Sequence, residues 1–359
     1  MVFRKALLRE LAIVALGTFL VLLGITLTTQ LVRFLGQAAS GAITSAGVAA
    51  LLGFTMLSYL PVLLSITLFI AVLMTLTRSY RDSEMIVWFS CGVSLTQWVR
   101  PVLVFALPLV FTIGLLSLVL SPWAVSKAEE FRRLMESRDD VSAVSPGVFR
   151  ESRHADRVYF VEEVSGKENL VANVFVSATQ HHKTGVMVAE QGFQETMPNG
   201  DRFLVLLNGR RYEGEAGTAE YRIAEFERYA MRIEASEMVA RAPTTKTTST
   251  AELLQNRTPA TMAELSWRIG LPVSALLLSL LAIPLSFVNP RAGRSMNLLL
   301  ALLIYATYSN LLSIVQASIA QSRIDLTLGV WGVHALMAAL LVVLFYRRVM
   351  VFSLFRLLK

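Results

Sequence analysis

Residues 102–138 read VLVFALPLVFTIGLLSLVLSPWAVSKAEEFRRLMESR. Val102–Ser121 carries no charge at all, and then seven charged residues fall between Lys127 and Arg138. The chain therefore changes solvent near Pro122. The same contrast organises the whole sequence. Of 59 Lys, Arg, Asp and Glu residues, 39 lie in Pro122–Met262, 18 basic and 21 acidic, and the other 20 are spread over the two flanking apolar parts. The sequence predicts an α-helical membrane protein with six transmembrane helices, three before and three after an inserted all-β domain. The boundaries are 1–121 for the first three helices, 122–262 for the insert and 263–359 for the last three.

The helix count rests on length. A bilayer core about 30 Å thick needs about 20 apolar residues per helix. Six segments qualify: Leu11–Val32, Leu52–Thr77, Val99–Leu120, Trp267–Val288, Met296–Gln316 and Leu326–Tyr346. Pro61, Pro108, Pro272 and Pro284 fall within these spans, where neighbouring helices can satisfy the freed backbone groups. The apolar run Leu11–Leu35 is too long for the core of a cleavable signal and is read as the first span.

Charge sets the orientation. The N-terminus, the loops after spans 2 and 4, and the C-terminus hold Arg4, Lys5, Arg9, Arg78, Arg81, Arg100, Arg291, Arg294, Arg347, Arg348, Arg356 and Lys359. The opposite side, outside the insert, holds only Arg33, Arg268 and Arg323. Basic loops stay in the cytoplasm, so both termini are expected there and the insert outside. The insert is slightly acidic, which argues against nucleic acid as a partner. The single cysteine, Cys91, leaves the insert without disulfides.

Within the insert, Arg157–Val164, Val171–Ala178, Gly185–Glu190, Arg202–Leu207 and Tyr221–Ile233 read as strands. Pro198-Asn-Gly-Asp201 and Asn208-Gly209 read as hairpin turns. The spacing suits a β-sandwich, jelly roll or similar. Ala124–Arg138 reads as a helical stalk and Ala242–Thr261 as a linker. His181-His182 reads as a solvated turn, since adjacent strand residues point to opposite faces and cannot chelate together. His334, alone in span 6, reads as a buried hydrogen-bonding group ahead of a proton relay. There is no Gly-x-x-x-x-Gly-Lys-Ser/Thr phosphate loop, no His-Glu-x-x-His, and no acid–base pair of diagnostic spacing. No catalytic residue, metal ligand or bound cofactor is expected in this chain.

The loop after span 2, about 80–94, runs from Asp82 and Glu84 through Met85, Trp88 and Phe89 at helical spacing to Gly92. It reads either as an amphipathic helix on the membrane surface or as a coupling helix. In the second reading Met85 and Trp88 anchor it in a cytoplasmic partner's groove, and Asp82 and Glu84 make polar contacts.

Four motifs in chain order carry a resemblance. They are Leu31-Val-Arg-Phe-Leu-Gly36; Asp82-Ser-Glu-Met85 with Cys91-Gly-Val-Ser94; Asn208-Gly-Arg-Arg-Tyr-Glu-Gly214 leading to Phe226-Glu-Arg-Tyr229; and Glu264-Leu-Ser-Trp-Arg-Ile269 with Pro284-Leu-Ser-Phe-Val-Asn-Pro-Arg-Ala-Gly-Arg294. Together they resemble the permeases of the lipopolysaccharide exporter, the LptF/LptG family, with wording closer to the LptF branch. The resemblance implies a non-catalytic ABC-transporter permease of the bacterial inner membrane that passes lipopolysaccharide through a periplasmic β-jelly roll.

It also implies partners: a second, LptG-like permease, an LptB-like cytoplasmic ATPase dimer that uses the ATP, an LptC-like single-span protein, and a periplasmic jelly-roll bridge. By position, Arg33 would hold a lipid phosphate, with interfacial snorkelling as the simpler reading. The family often has a second basic residue three positions earlier, where this chain has Gln30. Glu84 would contact the ATPase. Tyr159, Val161, Phe175 and Leu204 are taken as inward residues that either line the lipid path or simply pack the core. Arg291 and Arg294 serve orientation on the simpler reading. The competing functions are a membrane-bound enzyme modifying envelope lipids, the paralogous LptG-type subunit, and a passive periplasmic tether.

Overall fold

The computed structural model describes residues 2–39, 43, 45–142, 147, 149–151, 157–165, 170–180, 183–196, 202–215, 221–233, 244–287 and 294–349. It divides into a helical unit, Met1–Phe131 with Pro243–Lys359, and a β unit, Arg132–Ala242.

The helical unit contains α1 (Val2–Ala39), α2 (Ser45–Arg81), α3 (Glu84–Ser90), α4 (Val99–Leu115), the start of α5 (Ser121–Ser142), α6 (Thr250–Gln255), α7 (Pro259–Leu285), α8 (Arg294–Ala320) and α9 (Leu326–Val349). Among the described residues, six helical runs are long and apolar enough to cross a membrane. The third is not one regular helix: a π-helical turn, Leu116–Leu120, joins α4 to α5. A π turn spreads its hydrogen bonds to i→i−5 and leaves carbonyls seeking other donors.

Packing is uneven. In α2 and α7, 61% of the apolar window is buried, against 11% in α1 and in α8. The core lies where Leu68, Phe69, Val72 and Leu76 of α2 meet Ala275, Leu278, Leu281 and Ala282 of α7, with Val102, Ala106 and Ile113 of α4 beside them. The small residues of α7 allow the close approach that membrane helices use in place of a hydrophobic drive. α7 opens on a capping box: Thr258 and Thr261 satisfy each other's backbone N–H groups, with Pro259 at the first helical position.

The segment read as a linker, Ala242–Thr261, is ordered into structure from Thr244 onward. Ser249 accepts a hydrogen bond from the Glu252 N–H at 3.3 Å and so caps α6. Runs of Ser and Thr look like linker but are also cap residues.

The described residues of the β unit form six strands: β1 (Arg150–Glu151), β2 (Arg157–Ser165), β3 (Leu170–Gln180), β4 (Lys183–Thr196), β5 (Arg202–Glu215) and β6 (Tyr221–Ile233). All neighbours are antiparallel, in the order β1-β2-β3-β4-β5-β6. The all-β expectation is met. The described strands form a meander, and none of their pairings is the Greek-key crossover that defines a double-key jelly roll.

Asn208-Gly209 is not a hairpin turn but the middle of β5. Asn208 (φ 51°) and Asn173 (φ 49°) adopt left-handed backbone inside their strands, and Asn tolerates that conformation better than most residues. Together with Glu162, Glu190 and Glu227 they drop out of the register along one line across the sheet. Alternation flips phase there. Val174, Val176, Met187, Ala189 and Leu206 form the buried face, with Val171, Leu204, Phe226, Tyr229 and Met231 packed against them. Gly209 is required beside this line: a Cβ at that position would sit 2.5 Å from both the Val188 carbonyl oxygen and the Phe226 ring.

Candidate functional site

Three places in the helical unit carry charge where charge is expensive. The first joins α1, α2 and α3. Arg78, in the last turn of α2, takes Glu10 of α1 in a two-pronged ion pair, Nε to Oε1 and Nη2 to Oε2, the latter at 2.6 Å. The same guanidinium reaches Asp82 and Glu84, each at 3.4 Å. Asp82 also meets Arg81 at 3.2 Å. Ser83 turns the chain in left-handed backbone (φ 60°) before α3, and Gly92 (φ 84°) lies just beyond its end.

These two breaks cut the expected helix over about 80–94 down to seven residues. They also set its face. Met85 is 1% exposed, and Trp88 packs against the core of the same helical unit. Both are turned toward the core of their own chain. The outward apolar side chains are Ile86 and Val87, 65% and 60% exposed, with Phe89. Phe89 and Phe287 both approach Tyr80, and Arg348 lies over Phe287 at 3.9 Å, so α3 connects to the C-terminal half as well.

The second place is the far part of α1. Arg33 is exposed and has no partner among the described residues. Gln30, one turn before it, is buried, and its Oε1 accepts nothing among the described residues. These two side chains do not form a joint clamp.

The third was missed as a site in the sequence, where Arg268 was counted with the outer-side loop charges. Arg268 is buried in α7 with Glu264 one turn earlier; the side chains are 3% and 9% exposed and pair at 3.0 Å. Its Nη1 donates to Thr250 Oγ1 at 2.9 Å, and its Nη2 to the carbonyls of Thr245, Lys246 and Thr248 at 3.0–3.2 Å. Gln316 of α8 donates to Glu264 at 3.4 Å. The Thr250 hydroxyl donates to Leu118 O in the π turn, and Ser117 Oγ to Arg268 O at 3.0 Å. The only sequence clue was two opposite charges four residues apart in an apolar span, a spacing that puts both on one helix face.

His334 is the buried hydrogen-bonding group expected: Nδ1 lies 2.5 Å from the Tyr308 hydroxyl. Among the described residues no cluster of His, Cys, Asp or Glu could hold a metal.

In the β unit the predicted quartet does not share a face. Leu204 packs on the buried side. Phe175, next to Val174 and Val176, stands on the other, where Phe149 lies between it and Phe160 at 5.9 and 4.6 Å. Tyr159 and Val161 are described in backbone only, opposite Val176 and Val174. His181, His182, Arg291 and Pro198–Asp201 lie outside the described residues.

Two groups of three apolar helical runs around an inserted antiparallel sheet, with a short helix tethered by ion pairs between the second and third runs, define a multi-pass membrane protein with a large extramembrane domain. Residues 5–347 match the family described as lipopolysaccharide export system permease LptF/LptG. The chain is 28% identical over 347 residues to lipopolysaccharide export system permease protein LptF of Escherichia coli K12, covering 96% of this chain and 94% of that one. The same figures hold for the proteins of that name from Escherichia coli O157:H7 and Shigella flexneri. The chain belongs to the LptF/LptG permease family.

Proposed function

We infer that this chain is the LptF-type permease subunit of a lipopolysaccharide exporter. The observation that carries the reading is the match over residues 5–347, which takes in both groups of helices and the β unit. It lies in the bacterial inner membrane with both termini in the cytoplasm and the β unit in the periplasm. Basic asymmetry supports this orientation, and burial of Arg268 strengthens it by removing one of the three outer-side charges from the surface. The chain is non-catalytic. ATP is hydrolysed by a separate LptB-like dimer, and an LptG-like permease completes the membrane part. An LptC-like protein and a jelly-roll bridge receive the lipid.

The sparsely buried helices α1 and α8 offer apolar faces to lipid and to the second permease. α3 receives the ATPase through Ile86, Val87 and Phe89, and Glu84 contacts it after exchanging Arg78 for a partner cation. Arg33 holds a phosphate of the lipid headgroup at the far end of α1. Acyl chains then follow the face of the sheet that carries Leu204, Val174, Val176 and Leu206. Val176 and Leu206 are fully buried, so passage requires the strands to part. Phe175 lies off that path.

The test is purification from native membranes followed by reconstitution with lipopolysaccharide. Co-isolation of a second permease and an ATPase, with ATP-dependent release of lipid to a soluble acceptor, is the expected result. Isolation alone with chemical turnover of lipid would replace transport by the enzyme reading.

A further inference from the structure

The β unit is joined to the helical unit by two stretches of chain, one leaving through the π turn and α5 and one returning through residues 244–250. Both are fastened to α7 at one point. The returning stretch is held by Arg268, which takes three of its carbonyls and the Thr250 hydroxyl. The outgoing stretch is held by Thr250 on Leu118 O and by Ser117 on Arg268 O. Glu264 compensates the charge, and Gln316 carries the network to α8.

This is more than a buried ion pair needs. A pair four residues apart on one helix is already satisfied locally, whereas three of the contacts of Arg268 are to backbone of a different segment. The π turn matters too. Within it, Leu118 lies four residues before Pro122, which has no N–H to donate, so the Leu118 carbonyl is open to the Thr250 hydroxyl.

We propose that Arg268 is a positioning residue that locks both connections of the β unit to α7, so that displacement of α7 during transport reaches the two connections together. The guanidinium is required for its fork: Nε faces Glu264, Nη1 the Thr250 hydroxyl, and Nη2 the carbonyls. A lysine keeps the charge but cannot make all three sets of contacts. The proposal rests on the transport reading above.

The experiment uses the whole complex purified from native membranes, reconstituted with lipopolysaccharide, with ATP hydrolysis and lipid release measured side by side. R268K is expected to hydrolyse ATP at the parental rate while release falls about tenfold, the scale of leaving buried polar partners unmet. Release at the parental rate, or a fall in hydrolysis matching the fall in release, overturns the proposal. No release from the unmodified complex would instead refute the transport reading.

If R268K assembles poorly, hydrogen exchange of the variant in membranes decides. Faster exchange confined to residues 244–256 supports the lock. Loosening of α7 as a whole means that Arg268 only stabilises the helix, and the proposal falls.

Discussion

Met85→Ala separates the two faces of α3. Met85 is 1% exposed and sits in the same core cluster as Leu76, Trp98 and Val102. Truncation deletes a thioether chain and leaves a cavity that a seven-residue helix pinned between Ser83 and Gly92 has little freedom to close. The expected cost is about 2–5 kcal/mol. Ile86→Ala and Val87→Ala remove side chains that are 65% and 60% exposed, and each should change stability by less than about 0.5 kcal/mol. Binding should respond in the reverse order. Thermal unfolding in detergent reports the first effect, and titration of the permease with its purified ATPase the second. Met85→Ala should lower the unfolding temperature, and the affinity it retains should track the folded fraction. Val87→Ala should unfold normally and bind the ATPase several-fold more weakly. A stable Met85→Ala protein that fails to bind would return Met85 to the partner's groove and refute the inward assignment.

Glu84→Ala leaves Arg78 with Glu10 and Asp82, so folding should persist while coupling of hydrolysis to lipid release is lost; an unimpaired release assay would remove Glu84 from the contact. Arg33→Glu should abolish photocrosslinking of lipopolysaccharide to α1 without lowering the unfolding temperature, because Arg33 has no partner among the described residues. Gly209→Ala forces a methyl to 2.5 Å from a backbone oxygen and from the Phe226 ring, and should destabilise the β unit by about 1–3 kcal/mol, read as increased proteolysis of residues 202–233. Glu10→Gln weakens a part-exposed ion pair and should cost less than about 1 kcal/mol in thermal unfolding; a larger loss would mean that α1 and α2 are held together mainly at this end.

The six helices were legible because a long uncharged run has few other fates. The strands were legible in position but not in phase. Phase flips where Asn173 and Asn208 go left-handed inside β3 and β5, and Asn-Gly in sequence is a hairpin signal first. That flip separates Phe175 from Leu204. In α3, Met85, Ile86 and Val87 are all apolar, so spacing over two turns could not say which one points inward. Arg268 looked like a loop charge because its partners are mostly carbonyls, which every residue carries.

The placement of charge along α1 ties these observations together. Glu10, gripped by Arg78, and the exposed Arg33 are separated by about 34 Å of helix rise, close to the thickness of the hydrocarbon core. α1 has no proline and runs as one unbroken α-helix between them. Arg78 links α1 to the α3 end, while Arg33 at the other end meets no partner among the described residues. A tilt of α1 imposed through Glu10 would therefore displace Arg33 without any intervening joint. α2, mostly buried and packed on α1, would serve as the surface against which α1 moves.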